Sequence, residues 1–548
     1  MSVAKSHAIN LEHHSAEFLP VQRRLRRTLG ESTSATINFL RAQPYDLVNF
    51  VLQDQHEQIL IVASRWRRKV ACIVPEVKRY PAIQVVILSF ATGLLLTGCI
   101  RYKARPLNAP IIEGQYHARR IDSDAFQKFA RTVGWRQWPP SILDLNCLTL
   151  VAAYYSPDLD VSRTQIAMAD AAVRTARPRP NSSLGADGGY SAQPEAHPIY
   201  SVAPSFTIET AGKRGDRILL AEKDAEMARL AFTEAQWLLW SRVRTALLDY
   251  ILAERKRNLL QRESELRSEA SELLEKRLSV GAAAQPEVDV YRVESLRAEA
   301  LLDTARGDVA QKLVALATVM GIPPEALANK DITYRNLDSP PTNVSLTLHT
   351  IQKAGLLHRI DVRRTLVEYA AAEAALKLEI ARQYPDIQLT PTYGFEEGFA
   401  RYVFSSAVSA LPVFNRYKGP IYSAEARRRQ VEARFRALQA QAIGEMGRAL
   451  SLYRSALQAW QTQSDQLAKI EREREDAARR ALQAGQGDRL SFVLAEIETN
   501  TVALSQLNAL VQVQTSLGLL EDSVQHPLEA GVRTFSAPES NPRHEVVH

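Results

Sequence analysis

Apolar positions along the chain follow two different periods, and the periods alternate in blocks. From Asp144 to about Ala176 they fall at Leu145, Leu148, Val151, Tyr155, Leu159, Ile166 and Val173, the spacing of a buried helix face. Pro157-Asp158 marks a break with a new helix start behind it, and Pro178 and Pro180 end the pattern. The period then drops to two. Leu184, Ala186, Gly188 and Tyr190 alternate with Ser183, Gly185, Asp187 and Gly189, and Tyr200, Val202, Phe206 and Ile208 alternate with Ser201, Ser205, Thr207 and Glu209. Further on, Ile387, Leu389, Tyr393 and Phe395 alternate with Gln388, Thr390, Thr392 and Gly394, and residues 401–414 alternate less cleanly. These are strands of about ten residues, apolar on one face and small or polar on the other. That pattern suits an ordinary half-buried antiparallel sheet and a membrane barrel equally; the helices that follow decide for the barrel.

Behind each strand pair the helical period returns over an unusual length. Asp216 to Val280 contains neither Pro nor Gly, which predicts roughly 95–100 Å of helix at 1.5 Å per residue. Gly281 and Pro286 turn the chain into a return helix that runs to about Met320, where Gly321-Ile322-Pro323-Pro324 stops it. No proline lies between Pro420 and Pro527, Gly485-Gln486-Gly487 divides that span, and Pro420 suits the first helical position. Such helices must bury their apolar stripes against one another, as Leu266, Leu273 and Leu274 illustrate, while Glu471–Asp476 form a solvated face. The expected fold is mainly α with membrane β: four barrel strands and long antiparallel helical hairpins in each chain. Four strands cannot close around a lumen and open edges cannot face lipid, so several subunits must complete the barrel.

The chain also states this arrangement twice. Asp160-Val161-Ser162-Arg163-Thr164 is echoed by Asp361-Val362-Arg363-Arg364-Thr365, an offset of 201; Ala221-Glu222 by Ala424-Glu425, an offset of 203; Gly281 by Gly485, an offset of 204. A few loop insertions would produce that drift. The organisation read from these signals is an N-terminal extension (1–76), a leader (77–98), an arm without regular period (99–143), repeat one (144–340), repeat two (341–526) and a breaker-rich tail (527–548).

Charge changes the picture little. The net charge is +7. Residues 1–98 hold 12 Lys/Arg against 7 Asp/Glu, leaving 56 against 54 in the rest, so the basic balance belongs mostly to the leader and argues against a nucleic-acid partner. Three cysteines, Cys72, Cys99 and Cys147, form neither a disulfide framework nor a metal spacing. Cys99 stands in a telling place. Lys78-Arg79 precede an uncharged run that ends Leu95-Leu96-Thr97-Gly98-Cys99, which resembles a bacterial lipoprotein signal whose cysteine receives a lipid. On that reading residues 1–76 are a mis-annotated start, with translation beginning near Val77.

With Cys99-Ile100-Arg101-Tyr102, Arg105-Pro106-Leu107, the stretch from Ala176 to Leu184, and Leu411–Pro420 continuing as Ile421-Tyr422-Ser423-Ala424-Glu425, the chain resembles the TolC family of outer-membrane efflux channels over about residues 99–525. The resemblance implies a homotrimer whose strands form one twelve-stranded barrel and whose helices form a periplasmic tunnel, with a lipid on Cys99 at the outer membrane and no other cofactor. It implies a periplasmic adaptor at the glycine turns, carried over onto Arg277, Leu278, Gly281, Glu287 and Asp289 and onto Leu482, Gly485, Asp488 and Leu490. It also implies an inner-membrane pump of RND type, with ABC or MFS pumps as other options. Family members place acidic gate residues after the second glycine; here Ser491 and Leu494 stand there and Asp488 is the nearby carboxylate, so Asp488 and Ser491 are the gate candidates. The form Pro412-Val413-Phe414-Asn415-Arg416-Tyr417-Lys418-Gly419 resembles versions found beside heavy-metal cation pumps.

Two other readings compete. Long helices without a pore would make a periplasmic scaffold or adaptor. His544-Glu545-Val546-Val547-His548 spells a zinc-hydrolase pattern, but that chemistry needs a third ligand and a cleft, and the motif ends the chain behind Pro538 and Pro542. No catalytic constellation and no metal site emerge, and the chain reads as a non-enzyme.

Overall fold

The computed structural model describes residues 102–189, 199–341, 347–396, 398–408 and 414–528. The chain divides into two units, Met1–Leu107 and Asn108–His548. Of the first, residues 102–107 are described and form no helix or strand. The extension, the leader with Cys99, Leu411–Val413 at the start of Leu411–Pro420, and the His544–His548 motif lie outside the described residues.

The second unit begins with two short helices, α1 (Ala109–His117) and α2 (Asp124–Thr132), in the arm expected to have no regular period. In α2 the buried residues Phe126, Phe129 and Ala130 do keep the helical spacing, a signal the sequence reading passed over, whereas α1 buries nothing. Their starts are set by Asn108 and Ser123, whose side chains accept the N–H groups of Ile111 and Phe126. The arm is anchored by aromatic packing: Phe126 is fully buried and stacks against Tyr155, Trp138 and Tyr154. A short strand β1 (Ile142–Leu143), also unforeseen, pairs in parallel with β4 (Asp331–Ile332).

The helix break read at Pro157 is a corner. Ser156 ends α3 (Leu145–Tyr155) and caps α4 (Pro157–Ala176), with Pro157 in the first turn. Its counterpart is Arg359, between α7 (Leu348–His358) and α8 (Ile360–Ala381). These corners are 203 apart, so the Asp160/Asp361 echo at 201 does not join equivalent positions. Asp160 pairs with Arg163 one turn on, whereas Asp361 pairs with the corner residue Arg359 at 2.7 Å. Arg359, buried, also meets Glu445 at 2.9 Å and donates to the Ser523 carbonyl, so the second corner is held by a charged knot and has no side-chain cap like that of Ser156.

Four antiparallel strands, β2 (Ser183–Gly189), β3 (Ile199–Ile208), β5 (Ile387–Glu396) and β6 (Phe399–Val408), form one sheet in the order β2-β3-β5-β6. The register sets apolar against apolar: Tyr200 opposite Phe395, Val202 opposite Tyr393, Phe206 opposite Leu389, Ile208 opposite Ile387. Lys213, at the start of α5 (Lys213–Ser279), ties the halves together below the sheet. Its ammonium meets Asp386 at 2.7 Å, and Asp386 accepts the Thr210 N–H at 3.0 Å.

From that junction α5 runs 67 residues, about 100 Å, to a turn that leads into α6 (Gln285–Met320). In the second half α9 (Lys418–Thr462) and α10 (Ala468–Gln483) cover the same distance, separated by one π-turn at Gln463–Leu467, and α11 (Arg489–Val524) returns. Pro420 occupies the third helical position of α9 rather than the first; its missing N–H is still one that no helical carbonyl would accept. The central helix is α5, which packs against α4, α6, α8 and α11, while α11 carries α9 and α10 on its other side. The largest core joins α2, α3 and the middle of α5, with Leu148, Val243, Leu247, Leu316 and Met320 fully enclosed.

Candidate functional site

Two features of this fold bear on function: the tips where the long helices turn, and the faces of the sheet. The tips are built alike. At the first, the N–H groups of Gly281 and Ala282 reach back to the carbonyls of Leu278 (2.9 Å) and Arg277 (2.8 Å); at the second, those of Gly485 and Gln486 reach Leu482 (3.1 Å) and Ala481 (2.9 Å). This is a Schellman ending, and it needs a left-handed residue after the helix: φ is +75° at Gly281 and +71° at Gly485. The helices that leave the turns differ. Ala284 begins α6 without a side-chain cap, whereas Asp488 begins α11 and accepts the Ser491 N–H at 2.7 Å.

Asp488 also pairs with Arg277, which brings the two tips together. Ser491 and then Arg277 hold the Asp488 carboxyl down at about 2. Above this contact the α5–α11 seam carries Glu269–Arg489 and Arg262–Glu496, each at 2.6 Å, and Asn500 donating to Glu263 at 2.9 Å. Beneath the charges lies a closed apolar cluster of Leu266, Ala270, Leu274, Val288, Leu490, Val493 and Ile497. Each large side chain buried there contributes about 1.5–3 kcal/mol as an upper estimate, while an exposed ion pair contributes about 0.2–1 kcal/mol. The cluster therefore holds the seam, and the ion pairs fix its register.

Of the residues carried over to the tips, Leu490 enters this cluster and Leu278 packs half-buried against it. Leu482 is half-buried. Glu287 and Asp289 stand exposed on the first turns of α6, where Asp289 accepts a hydrogen bond from Gln285 at 2.8 Å. Ser491 spends its N–H on the Asp488 cap and lines a groove of about 640 Å³, together with Val290, Tyr291 and Glu294 of α6 and Arg474, Ala477 and Ala478 of α10. The sequence reading missed Phe492, whose ring lies between Arg489 (5.2 Å) and Arg479 (5.8 Å), and the Glu269–Arg489 and Arg262–Glu496 pairs. No local pattern points to partners more than 200 residues away.

One face of the sheet presents Leu184, Val202, Phe206, Tyr393, Tyr402 and Phe404 to the outside; Tyr402 is 83 % and Phe404 73 % exposed. The opposite face carries Ser201, Ser205, Thr390, Thr392 and Ser405, with Ile199, Val403 and Phe399 among them toward its ends and on β6. Strands β2 and β6 are each paired on one side only among the described residues. No described helix is long and apolar enough to cross a membrane. Among the described residues no group of three or more His, Cys, Asp or Glu is placed to hold a metal ion.

Residues 152–322 match the outer membrane efflux protein family. The fold is that of VceC from Vibrio cholerae, an outer membrane protein 19 % identical, with a TM-score of 0.56 over 70 % of this chain and 97 % of that one. In sequence over residues 152–322, and in fold, the chain is similar to outer membrane efflux proteins. The outer-membrane channel OprN superposes similarly, at 17 % identity and a TM-score of 0.57, over 78 % of this chain and 99 % of OprN. In sequence it is 25 % identical over 223 residues to the cobalt-zinc-cadmium resistance protein CzcC of Cupriavidus metallidurans, 40 % of this chain and 51 % of CzcC. The match thus spans about half the length of that relative. The family is one of efflux channels and not of enzymes.

Proposed function

We propose that the chain is the outer-membrane conduit of a tripartite efflux system. The observation that carries this reading is a sheet apolar on one face, mainly small and polar on the other and, among the described residues, unpaired along both edges. Ten-residue strands suit a bilayer, and the cost of unpaired backbone in lipid requires both edges to be closed. Three copies close them by pairing β2 of one with β6 of the next, giving twelve strands around a lumen lined by Ser and Thr. The helices continue that lumen, and solute passes without chemistry, driven by an inner-membrane pump through an adaptor seated at the tips near Gly281 and Gly485.

On this reading Asp488 and Ser491 stand at the gate, and a lipid on Cys99 anchors the arm. Two acyl chains hold a protein at a membrane where one is marginal. The likeness to a cobalt-zinc-cadmium resistance protein, with the Pro412–Gly419 stretch, favours divalent heavy-metal cations as the solute and an RND pump as the driver. The test is twofold. Cysteines placed on β2 and β6 should crosslink between copies into a trimer, and purified trimers should conduct ions across planar bilayers once the tip pairs are broken. Well-folded protein that neither crosslinks there nor conducts would leave a scaffold without a pore.

A further inference from the structure

The first and the last helix of the second half finish side by side, and a histidine stands at each finish. His358 is the last residue of α7, and His526 lies two residues beyond the end of α11. They are 168 residues apart in sequence, yet their ring centres are 5.1 Å apart, with the planes at 42°. The chain around them explains the meeting. Arg359, next to His358, donates to the Ser523 carbonyl at 3.0 Å, and the Ile360 N–H donates to Gln525 Oε1 at 2.5 Å. Gln525 takes a left-handed conformation, φ +55°, that ends α11 and turns the chain into His526. Each histidine is therefore positioned by its neighbours in sequence, and its ring is left over.

Both residues are exposed. The Nδ1 of His526 lies 2.7 Å from the Pro527 carbonyl, which can only accept, so Nδ1 carries the proton and Nε2 of the neutral ring keeps its lone pair. Among the described residues the His358 ring has no partner besides His526. Neutral rings also pack for their own sake, but three features go beyond packing. Two imidazoles bound to one tetrahedral ion at about 2.0–2.1 Å place their ring centres about 5 Å apart, the separation found here. A main-chain carbonyl on Nδ1 is the way ligating histidines are oriented. The charge also suits a cation. Both rings stand at helix C-termini, where carbonyls leave partial negative charge, and Arg359 beside them is outnumbered by Asp361 (2.7 Å) and Glu445 (2.9 Å).

We infer that His358 and His526 hold one divalent cation of the borderline class that imidazole selects, Zn²⁺ being the simplest probe, with water in its remaining positions. The ion joins the α7–α8 corner to the end of α11 and reinforces the Arg359 knot from outside. Mg²⁺ and Ca²⁺ seek oxygen ligands and are not held there. The site lies apart from the tips and the sheet, and it stands or falls independently of the conduit reading.

His544 and His548, outside the described residues, are the competing ligands, so the test removes them. The full chain carrying His544→Ala/His548→Ala, purified without a histidine tag, is titrated with Zn²⁺. Calorimetry should find a single ion per chain, and X-ray absorption should find two imidazoles on it. Adding His358→Ala or His526→Ala should weaken binding at least about tenfold, since losing even an outer-shell partner costs about 10–100-fold. Saturating Zn²⁺ should raise the melting temperature of the parent and leave that of the His358→Ala chain unmoved, while Mg²⁺ should shift neither. Zn²⁺ bound by the unaltered chain but lost with His544 and His548 would place the site in the tail and overturn the inference. Binding that survives both His358→Ala and His526→Ala, or no binding at all, would overturn it too. Should His526→Ala disturb the end of α11, His358→Ala still decides, because that ring touches only His526.

Discussion

Arg277 and Asp488, 211 residues apart in sequence, meet as an ion pair between the two glycine turns. Asp488 also caps α11, so one carboxylate serves both its own helix and the neighbouring hairpin. Its pKa, held at about 2, lies below that of a free carboxyl, so the contact's stability is present above the unfolded value near 3.8 and is lost as pH falls through about 2. Crosslinking between cysteines at the tips should therefore stay constant from pH 8 to pH 4.5 as far as this pair decides it, and change only in stronger acid. Asp488→Ala removes cap and pair together and should cost α11 about 0.5–2 kcal/mol, whereas Arg277→Ala removes only the exposed pair and should cost no more than about 1 kcal/mol. Thermal unfolding of the two variants measures the difference. A larger loss for Arg277→Ala would show that the pair, not the cap, dominates.

The glycine turns give a sharper comparison. A β-carbon at Gly281 or Gly485 would meet nothing within 4 Å, so any loss on substitution comes from the left-handed backbone alone. Alanine at either position should cost about 1 kcal/mol. Gly307, inside α6 and equally open, has an ordinary helical conformation, and alanine there should stabilise by about 0.4–1 kcal/mol. Melting temperatures of the three single variants should shift in opposite directions.

Far from the tips, Arg244 of α5 and Glu521 of α11 form an ion pair at 2.9 Å with both side chains at most 3 % exposed. The guanidinium also donates to Gln514, and a β-carbon on Gly518 would stand 2.7 Å from its Nη1. Glu521→Ala strands a buried cation and should cost about 3–5 kcal/mol. The double variant Arg244→Met/Glu521→Leu should recover much of that loss, because both charges leave together. A double-mutant cycle on denaturant unfolding reads the coupling. Near-zero coupling would mean that packing, not charge, ties α5 to α11 here.

How far the sequence carries to these contacts depends on their range. Alternation at Val202, Phe206, Leu389 and Tyr393 made the strands legible because each residue's face follows from its own neighbours. The long helices were legible for the same reason, from the absence of Pro and Gly after Asp216. The echo of Gly281 in Gly485 marked both turns, but not that Arg277 faces Asp488, since the packing of α5 on α11 is a tertiary choice. The arm around Phe126 was missed although Phe126, Phe129 and Ala130 keep the helical spacing behind the Ser123 cap, because the pattern lasts for a single turn or two. The drift from 203 at the corners Ser156 and Arg359 to 204 at Gly281 and Gly485, read as loop insertion, coincides with the π-turn at Gln463–Leu467 inside the second long helix.

The sheet supplies the most direct test of the conduit. Phe206 lies on the apolar face, opposite Leu389, and is 47 % exposed; Thr392 lies on the polar face, opposite Val403. If the apolar face meets lipid, Phe206→Arg places a charge in hydrocarbon and should cost about 2–4 kcal/mol near the bilayer midplane, less toward either interface. Thr392→Arg puts the same charge in a wet lumen, where it costs little but adds three positive charges to a trimer. The first variant should assemble poorly in bilayers while remaining helical in solution. The second should assemble normally and lower the conductance of cations relative to anions. A reversed outcome, with Thr392→Arg blocking assembly and Phe206→Arg neutral, would turn the sheet inside out and remove the ground for a barrel.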